Sequence, residues 1–290
     1  MPLSGLDIFK LLPKTNCKDC GFPTCLAFAM QLAAGKVELE KCPHVSEQAK
    51  DALSEASQPP ILKVEIGTGE KSVKVGEETV LYRHDRTFVN PNAFAVSIDD
   101  NAGQSKFEET VNRVNTLKYD RVGQVLEISA IFLKNTSEDK NIFMSAAEKV
   151  ISATAKPVIF SSGDAELLKN LAVQYRDKKP LIHAIDAGNI DRLKDTIKET
   201  GCPVVVKGKT FDEISELTGK LRNEGIKNIV IDVGERKIKG DFFNQITLRR
   251  AAISKKDRLF GYPTIVFPSE MTDDPLKETL IASVFVAKYG

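Results

Sequence analysis

Four cysteines lie close together near the start of the chain, with the spacing Cys17-x2-Cys20-x4-Cys25-x16-Cys42 and with Pro43 directly after the last one. Cysteine thiolates bind metals, and in a reducing compartment such crowding favours a metal site over disulfide bonds. A [4Fe–4S] cluster needs four thiolates that converge on one small site. The first two sulfurs would lie on one side of that site, and the short loop after Cys20 would bring a third. We therefore predict a [4Fe–4S] cluster bound by Cys17, Cys20, Cys25 and Cys42.

The residues around Cys25 suit an anionic cluster. A helix is predicted to begin there, and the free N–H groups of its first turn can donate hydrogen bonds to thiolates and sulfides. The apolar side chains of Phe22, Leu26 and Phe28 would exclude water and so tune the reduction potential. Structural zinc is the alternative, but zinc ligands usually come as two C-x2–4-C pairs. Here 16 residues, including an apolar helix, separate Cys25 from Cys42, so we favour iron–sulfur over zinc.

One cysteine and three histidines remain as isolated candidates. Cys202 precedes a predicted strand, and we expect a buried, inert thiol. His44 follows Cys42 by two residues; a hydrogen bond that tunes the cluster is conceivable, but we favour a surface residue. His84 is expected to be hydrogen-bonded in a hairpin rather than part of a redox relay. His183 is expected to lie inside a strand with its hydrogen bonds satisfied.

Composition limits the class of protein. The chain has 290 residues, with 41 Lys and Arg against 40 Asp and Glu, so its net charge is about +1. This balance gives no overall field for nucleic acid or for an anionic membrane. No stretch approaches the roughly 20 apolar residues of a membrane span, and the first residues lack the pattern of a signal peptide. We therefore expect a cytoplasmic protein with no nucleic-acid or membrane partner.

Residues 1–57 are predicted to form a small, mainly helical cluster domain. A capping box at Ser4 begins the first helix and Pro13 ends it. A second helix is predicted over 24–34, and a third over about 46–56. A break rich in proline follows, and residues 58–92 are predicted to be a linker with a short antiparallel β lead-in. Its candidate strands contain Val64 and Ile66, then Val73 and Val75, then Val80 to Tyr82.

From residue 93 to residue 290 the pattern alternates between short apolar strands and amphipathic helices. Strands that are apolar throughout are typical of a parallel sheet covered on both faces. Seven similar units without a dinucleotide fingerprint favour an α/β fold of the (β/α) TIM barrel type over an open doubly wound sheet. The predicted strands are Phe94–Asp99, Leu126–Leu133, Pro157–Ser161, Leu181–Asp186, Pro203–Lys207, Asn228–Val233 and Thr264–Pro268.

The seventh predicted helix, Leu276–Lys288, is followed by only two residues. A TIM barrel has eight strands, so an eighth should come next. Either the barrel closes in an unusual way or the chain is a fragment that lacks the last strand. We favour the fragment.

Chemistry in such barrels takes place at the carboxyl ends of the strands. The polar residues expected there could form a pterin or other small-molecule site, with three aspartates around one opening. Alternatively, they pair with one another and play no catalytic part, which we favour. Two basic runs, 236–239 and 255–256, are expected to be solvated faces. The residues at the strand ends are Asp99, Ser161, Asp186, Lys207, Asp232 and Ser269.

Several segments resemble one protein family, the large (gamma) subunit of the corrinoid iron–sulfur protein of the acetyl-CoA decarbonylase/synthase system. The strongest similarity is in Pro13–Ala29, which contains three of the four cysteines. It continues in Ala33–Lys36 and Lys41–Pro43, and returns in Val80–Asp85 and Phe88–Pro91. The barrel pattern after Ala93 also fits, so the resemblance covers essentially the whole chain. The cysteine motif alone is less specific, because other redox proteins share this small cluster domain.

The resemblance implies a function. The family's complex carries a methyl group on a corrinoid cobalt, from methyltetrahydrofolate through a methyltransferase to acetyl-CoA synthase, in the reductive acetyl-CoA pathway of anaerobes. Its [4Fe–4S] cluster reduces Co(II) back to Co(I), and the four cysteines of the present chain match its ligands. The implied partners are the small subunit of the heterodimer, the methyltransferase, acetyl-CoA synthase and a low-potential electron donor. The family's C-terminal corrinoid-binding domain is missing here, so we expect this chain alone not to hold the corrinoid.

Two other functions remain open from the sequence. One is a methyltransferase whose barrel binds methyltetrahydrofolate, fused to an iron–sulfur domain. The other is a general redox module that shares only the cluster domain with the family. The favoured function is an electron-transfer and scaffold subunit, which is a component of a methyl-transfer system and not a self-sufficient catalyst.

Overall fold

The computed structural model describes residues 4–34, 36–46, 49–50, 53, 58–82, 85 and 89–288. The chain forms two compact units, residues 1–59 and residues 60–290. Among the helices of these described residues, none has the length and apolar character needed to cross a membrane.

The first unit is built on two helices, α1 (Gly5–Leu11) and α2 (Cys25–Ala33). The predicted capping box is confirmed: the Asp7 N–H donates to the Ser4 hydroxyl oxygen over 3.2 Å, and that hydroxyl donates to the Asp7 carboxylate over 2.6 Å. The helices approach closely at Gly5, where a Cβ atom would lie 2.3 Å from the Met30 sulfur. A side chain at position 5 would therefore force the Met30 side chain to move and the helices to shift slightly.

Apolar side chains from both helices form the core of the first unit, together with three of the cysteines. The predicted third helix lies mostly outside the described residues. Ala49, Lys50 and Leu53 are helical where it was expected, and Ala49 and Leu53 are buried in the same core.

The second unit begins with an antiparallel hairpin, β1 (Val64–Ile66) and β2 (Val73–Val75). Gly67 follows β1, and its N–H donates to the Lys179 carbonyl over 2.9 Å. A Cβ on Gly67 would lie 2.6 Å from the Pro157 ring. Because Pro157 and Lys179 shortly precede two strands of the main sheet, the hairpin covers the amino ends of those strands.

The main sheet has six parallel strands, and each pairs with the next one along the chain apart from an inserted hairpin. This order and direction are those of a TIM-type barrel, so the predicted α/β class is confirmed. A parallel bridge between Ile231 and Thr264 adds a seventh position beside the last strand. The six strands are β3 (Ala95–Asp99), β6 (Ala130–Lys134), β7 (Val158–Ser161), β8 (Leu181–Ile185), β9 (Val204–Lys207) and β10 (Ile229–Asp232).

Three predicted strands differ from the structure. Of Thr264–Pro268, only Thr264 forms a β-bridge, and a 3-10 helix begins at Pro268. The run from Leu126 to Leu133 is divided: its first residues belong to an inserted hairpin, β4 (Lys118–Arg121) and β5 (Gln124–Glu127), and β6 begins at Ala130. Val122 and Gly123 have φ of 54° and 75°, which turn the chain between β4 and β5. The run from Val80 to Tyr82 is not a strand. The carbonyls of Val80 and Leu81 instead accept hydrogen bonds from the buried guanidinium of Arg249.

Helices cover the outer face of the sheet. The strands alternate between outward side chains, such as Leu133 and Phe160, which join the core with the helices, and inward ones, such as Phe132 and Ile159, which join Val64 and Ile66 of the first hairpin. Both faces are therefore buried over most of the sheet, as the apolar strands predicted. The helices are α3 (Gln104–Thr116), α4 (Lys140–Ala153), α5 (Ala165–Gln174), α6 (Ile190–Thr200), α7 (Phe211–Asn223), α8 (Ile238–Ile253) and α9 (Pro275–Lys288).

One of the buried carboxyl groups of this unit forms no salt bridge with any described residue. Asp241 on α8 is 1% exposed and accepts one hydrogen bond, from the Gln245 amide over 3.1 Å. Burial raises its pKa from the ordinary 3.8 to about 6. The folded protein thus holds a proton on Asp241 more tightly than the unfolded chain does. Its contribution to stability is therefore full below pH 4 and is lost as the pH rises through 6.

We predict that Asp241→Asn stabilises the protein at pH 7.5, because asparagine keeps the hydrogen bond from Gln245 without a buried charge. The gain in free energy of unfolding should reach up to about 3 kcal/mol at pH 7.5 and shrink below about 1 kcal/mol at pH 4. Urea unfolding at the two pH values measures it. The matched control, Asp195→Asn on the exposed face of α6, should change stability by less than about 0.5 kcal/mol at both. Equal effects of the two substitutions would show that Asp241 is not perturbed.

Candidate metal centre

The loop before α2 has a tightly turned backbone that positions the first three cysteines. Lys14, Asn16 and Lys18 have φ of 58°, 50° and 70°. Gly21 has φ of 81°, and its N–H donates to the Lys18 carbonyl over 2.8 Å. Residues with a side chain rarely adopt such a value, so glycine suits the turn directly after Cys20.

The four cysteines differ in exposure. Cys20, Cys25 and Cys42 are 5%, 6% and 5% exposed and share the core of the first unit, whereas Cys17 is exposed. Cys25 is the first residue of α2, as predicted, and its N–H donates to the Asn16 side-chain oxygen over 2.8 Å. The arrangement therefore has three inward thiols and one facing solvent.

The four thiols are close enough to influence one another. Burial raises the pKa of the Cys42 thiol, and negative charge on Cys20, Cys17 and Cys25 raises it further, while the backbone N–H of His44 donates to it and opposes the shift. The structure thus brings the four predicted ligands near one another. Four thiolates in one place repel one another unless a cationic centre binds them.

The four sulfurs do not form one tight group in the structure. Within the described parts of the chain, the potential ligand atoms of Cys17, Asp19 and His44 lie within 4.8 Å of one another. No other group of three or more Cys, His, Asp or Glu side chains in these parts is as close. No three of the four thiols meet that limit. Tetrahedral zinc with Zn–S bonds of about 2.3 Å places its sulfurs about 3.8 Å apart. A single zinc ion would therefore need three or more of these thiols closer together than they lie in the structure.

His44 and Asp19 form a pair beside the exposed cysteine. The His44 Nε2 lies 2.6 Å from an Asp19 carboxylate oxygen, and both side chains are about half exposed, at 48% and 53%. Hydrogen bonds from His44 and from the Cys17 thiol hold the pKa of Asp19 below its ordinary value. His44 is a surface residue as we expected, but the sequence gave no indication of its partner, which lies 25 residues earlier.

A second polar group occupies the inner face of the sheet at the carboxyl ends of its strands. The Ser161 hydroxyl lies 2.9 Å from His183 Nδ1, and His183 Nε2 lies 3.2 Å from the Asp232 carboxylate. The Asp232 carboxylate also accepts two hydrogen bonds from the Arg236 guanidinium, over 3.0 and 2.9 Å. Arg236 and Lys134 each donate to Glu270 over 2.6 Å. We call these six residues the mouth network.

Asp232 is the fully buried charge of the mouth network. Burial alone would raise its pKa, but the hydrogen bonds from His183 and Arg236 outweigh burial and hold the pKa well below its ordinary value. Hydrogen bonds to the Asp232 and Glu270 carboxylates raise the pKa of Arg236, against the effect of its own burial. Arg236 also lies over the Phe267 ring, 4.4 Å from its centroid. Asp232 is therefore ionised and neutralised by its neighbours.

The mouth network differs from the predicted cluster of aspartates. Ser161 and Asp232 belong to it and pair with neighbours, as favoured, and His183 has its hydrogen bonds satisfied. In the described chain, no hydrogen bond joins Asp99, Asp186 or Ser269 to it; Asp186, for example, accepts the N–H of Gly188. Lys207 lies beside Asp232 in the strand register.

His84 lies outside the described residues. Cys202 is buried at 1%, and burial raises the pKa of its thiol, as expected for an inert cysteine.

Sequence reasoning missed three members of the mouth network. Arg236 was assigned to a solvated basic run, but its side chain is 23% exposed and bonds to Asp232. Lys134 is the last residue of β6. The expectation of polar residues at strand ends, which identified Lys207, would also have identified Lys134 if the predicted strand had not ended one residue early. Glu270 follows the seventh strand position and carried no local signal.

Comparison with known proteins identifies both parts of the chain. Residues 12–44, which contain the four cysteines, match a family model described as a putative Fe-S cluster. Residues 63–290 match the model of the CO dehydrogenase/acetyl-CoA synthase delta subunit. The chain belongs to this family.

Full-length relatives of this CO dehydrogenase/acetyl-CoA synthase family member are longer than the chain. The corrinoid/iron-sulfur protein large subunit of Moorella thermoacetica is 40% identical over 290 residues, which is 100% of this chain and 65% of the relative. The acetyl-CoA decarbonylase/synthase complex subunit gamma of Archaeoglobus fulgidus is 34% identical over 309 residues, covering 99% and 65%. The chain thus spans about 65% of these relatives, and the resemblance found in the sequence is confirmed.

We predict that Arg236→Met destabilises the protein by about 3–5 kcal/mol, because it leaves the Asp232 charge buried without its main partner. The double variant Arg236→Met/Asp232→Asn should recover most of that loss. Urea unfolding at pH 7.5 measures the stability of both variants. The exposed control Lys237→Met should change the stability by less than about 0.5 kcal/mol. A double variant as unstable as the single one would contradict the argument.

Proposed function

We propose that this protein is the electron-transfer and scaffold subunit of a cytoplasmic corrinoid methyl-carrier complex, and that Cys17, Cys20, Cys25 and Cys42 bind a [4Fe–4S] cluster. The observation that carries the proposal is the convergence of four thiols in a segment that matches an iron–sulfur family. That segment is joined to a barrel in a chain similar throughout its length to a corrinoid/iron-sulfur protein large subunit.

The first unit fits a cluster in its geometry. Three thiols are buried and one is exposed. At the start of α2, Asn16 accepts the Cys25 N–H and Thr24 accepts the Ala27 N–H. Within the described part of the chain the N–H of Leu26 donates no hydrogen bond, so it can donate to a thiolate or a sulfide. This supports an anionic centre at the helix N-terminus.

The chain's residues would then have distinct roles. Cys20, Cys25 and Cys42 hold the protected side of the site, where Phe28 is 1% exposed and its ring centroid lies 5.7 Å from that of Phe22. These rings exclude water from that side. Cys17 forms the solvent-facing side, where an electron donor or acceptor can approach. When bound, the cluster would supply the one-electron couple that returns an oxidised Co(II) corrinoid to Co(I).

The partners follow from the same proposal. They are a small subunit that completes a heterodimer, a methyltransferase that delivers the methyl group of methyltetrahydrofolate, acetyl-CoA synthase as the acceptor, and a low-potential electron donor. We further propose that residues 1–290 do not hold the corrinoid by themselves. The barrel serves as a scaffold, because its mouth network is paired internally.

We predict that Cys25→Ser and Cys42→Ser each remove most of the bound iron, because the loss of one thiolate weakens a four-thiolate site. Protein purified without oxygen should contain about four iron and four sulfide per chain, and should give an EPR signal after reduction. Cys202→Ser is the matched control and should retain both. A protein that binds one zinc per chain and is EPR-silent after reduction would refute the cluster.

We predict that Cys25→Ser also abolishes reductive reactivation of the corrinoid partner, by at least about 100-fold in rate, while the barrel stays folded. Absorbance at the Co(I) band after addition of a low-potential donor measures the rate. Thermal unfolding followed by circular dichroism checks that the barrel is folded. Cys202→Ser again serves as the control. Reactivation at an unchanged rate in Cys25→Ser would show that the cluster does not reduce the corrinoid.

We predict that the chain alone does not bind methyltetrahydrofolate with a dissociation constant below about 1 mM, because the carboxylates of Asp232 and Glu270 already bond to Arg236. Isothermal titration at pH 7 measures this. Micromolar binding that is lost in Asp232→Asn would favour the methyltransferase instead.

A further inference from the structure

Three potential metal ligands meet at the surface of the first unit, and only one of them is a predicted cluster ligand. The Cys17 sulfur, an Asp19 carboxylate oxygen and a ring nitrogen of His44 lie within 4.8 Å of one another. All three residues are exposed, so a metal ion can reach them from solvent. We call this group the Cys–Asp–His site.

The spacing of the three atoms fits a single first-row metal ion. For three atoms at most 4.8 Å apart, there is a point no further than about 2.8 Å from each of them, which is 4.8 Å divided by √3. Zinc bonds to sulfur at about 2.3 Å and to nitrogen or carboxylate oxygen at about 2.0–2.2 Å. Each donor would therefore have to move by less than about 1 Å to bind the ion.

The types of donor in the Cys–Asp–His site select zinc over the common hard cations. Thiolate, imidazole and carboxylate are the side-chain ligands of protein-bound zinc, and sites with three of them leave the fourth position to water. Magnesium and calcium take oxygen ligands, so the sulfur and the nitrogen disfavour both. The site therefore suits a four-coordinate zinc ion.

Contacts within the protein already hold the three ligands together. His44 Nε2 lies 2.6 Å from the Asp19 carboxylate, and the Cys17 thiol donates a hydrogen bond to the same carboxylate. The backbone N–H of His44 donates to the Cys42 sulfur, so the main chain fixes His44 while its ring reaches Asp19. Around tetrahedral zinc the nitrogen and the oxygen would separate to about 3.3 Å, which side-chain rotation at the surface can supply.

The four thiols are less well placed for one zinc ion than the Cys–Asp–His site is. No three of them lie within the same 4.8 Å limit. Cys20, Cys25 and Cys42 are also part of the core of the first unit, so drawing them onto a single ion would move buried groups. The exposed ligands need only small movements in solvent.

We propose that Cys17, Asp19 and His44 bind one zinc ion in the chain that lacks its cluster. On binding, the Cys17 thiol releases its proton to solvent and its sulfur bonds to zinc, with water as the fourth ligand. Because Cys17 is also a proposed cluster ligand, the zinc ion and the cluster exclude each other. The zinc site does not depend on the proposed function, whereas this exclusion rests on it.

Zinc affinity tests the site in the full 290-residue chain after removal of any bound cluster, by competition with a chromophoric chelator. We expect one zinc per chain, and Asp19→Asn and His44→Ala should each weaken binding by at least about 10-fold. Cys20→Ser and Cys42→Ser should change the affinity by less than about 3-fold, because these thiols are not ligands. Glu38→Gln, which alters another exposed carboxylate of the first unit, is the matched control and should have no effect.

Three results would overturn the zinc site. They are no bound zinc, an unchanged affinity in Asp19→Asn or His44→Ala, and an equally large loss in Cys20→Ser or Cys42→Ser, which would place the ion on the cysteines. X-ray absorption at the zinc edge identifies the ligands directly. It should show one sulfur at about 2.3 Å and nitrogen or oxygen at about 2.0–2.2 Å, and three or four sulfurs would contradict the proposal.

Cluster loading tests the exclusion. The cluster-free chain is supplied with iron and sulfide, with and without one equivalent of zinc, and cluster absorbance is followed. Zinc should slow loading by at least about 10-fold in the unaltered chain and by less than about 3-fold in His44→Ala, each relative to the same protein without zinc. Equal inhibition of the two would overturn the exclusion. A chain that takes up no cluster without zinc would refute the proposed cluster and with it the exclusion, while the affinity series still decides the zinc site.

Discussion

Burial of both faces of a parallel sheet is the constraint on which the second unit depends. Each strand must place one set of side chains under the helices and the alternate set against other strands, and the first requirement is met by residues such as Leu133 and Phe160. At the amino ends of the strands, the second requirement is met by packing against Val64 and Ile66 of the first hairpin. At the carboxyl ends the same inward positions carry Ser161, His183 and Asp232, which can be buried only because they bond to one another and to Arg236. The mouth network is thus a structural consequence of the inward face.

The first unit has a different difficulty, because it is small. Domains of this size bury too little apolar surface to be very stable, and many rely on a metal. Its core contains Cys20, Cys25 and Cys42 alongside Phe28 and Ala29. Under the proposed ligation these thiols would become the attachment points of the centre that the helices surround, so the energy of binding would also be energy of folding.

Much of the architecture could be predicted from the sequence, because it depends on local patterns. The capping box at Ser4, the start of α2 at Cys25 and the apolar strands follow from capping and from alternation of side chains. The hairpin β4–β5 was missed because its strands are exposed and its turn has the unusual pair Val122 and Gly123. The partners of Arg236 and Asp19 could not be predicted, since each pairing depends on which loops the fold brings together. Asp241 was missed for the same reason: a charged residue in a helix is normally exposed.

The exposure of Cys17 has a consequence for how the small unit would be loaded. Ligand exchange at a metal begins where an incoming donor can reach it, and three of the four thiols are enclosed by the core. Under the proposed ligation, Cys17 would be the thiolate that an incoming cluster or its donor reaches first. Oxidants would reach the same atom first. Assembly and damage would therefore share one sulfur, and the rate of each would depend on how easily that single side of the site opens to solvent.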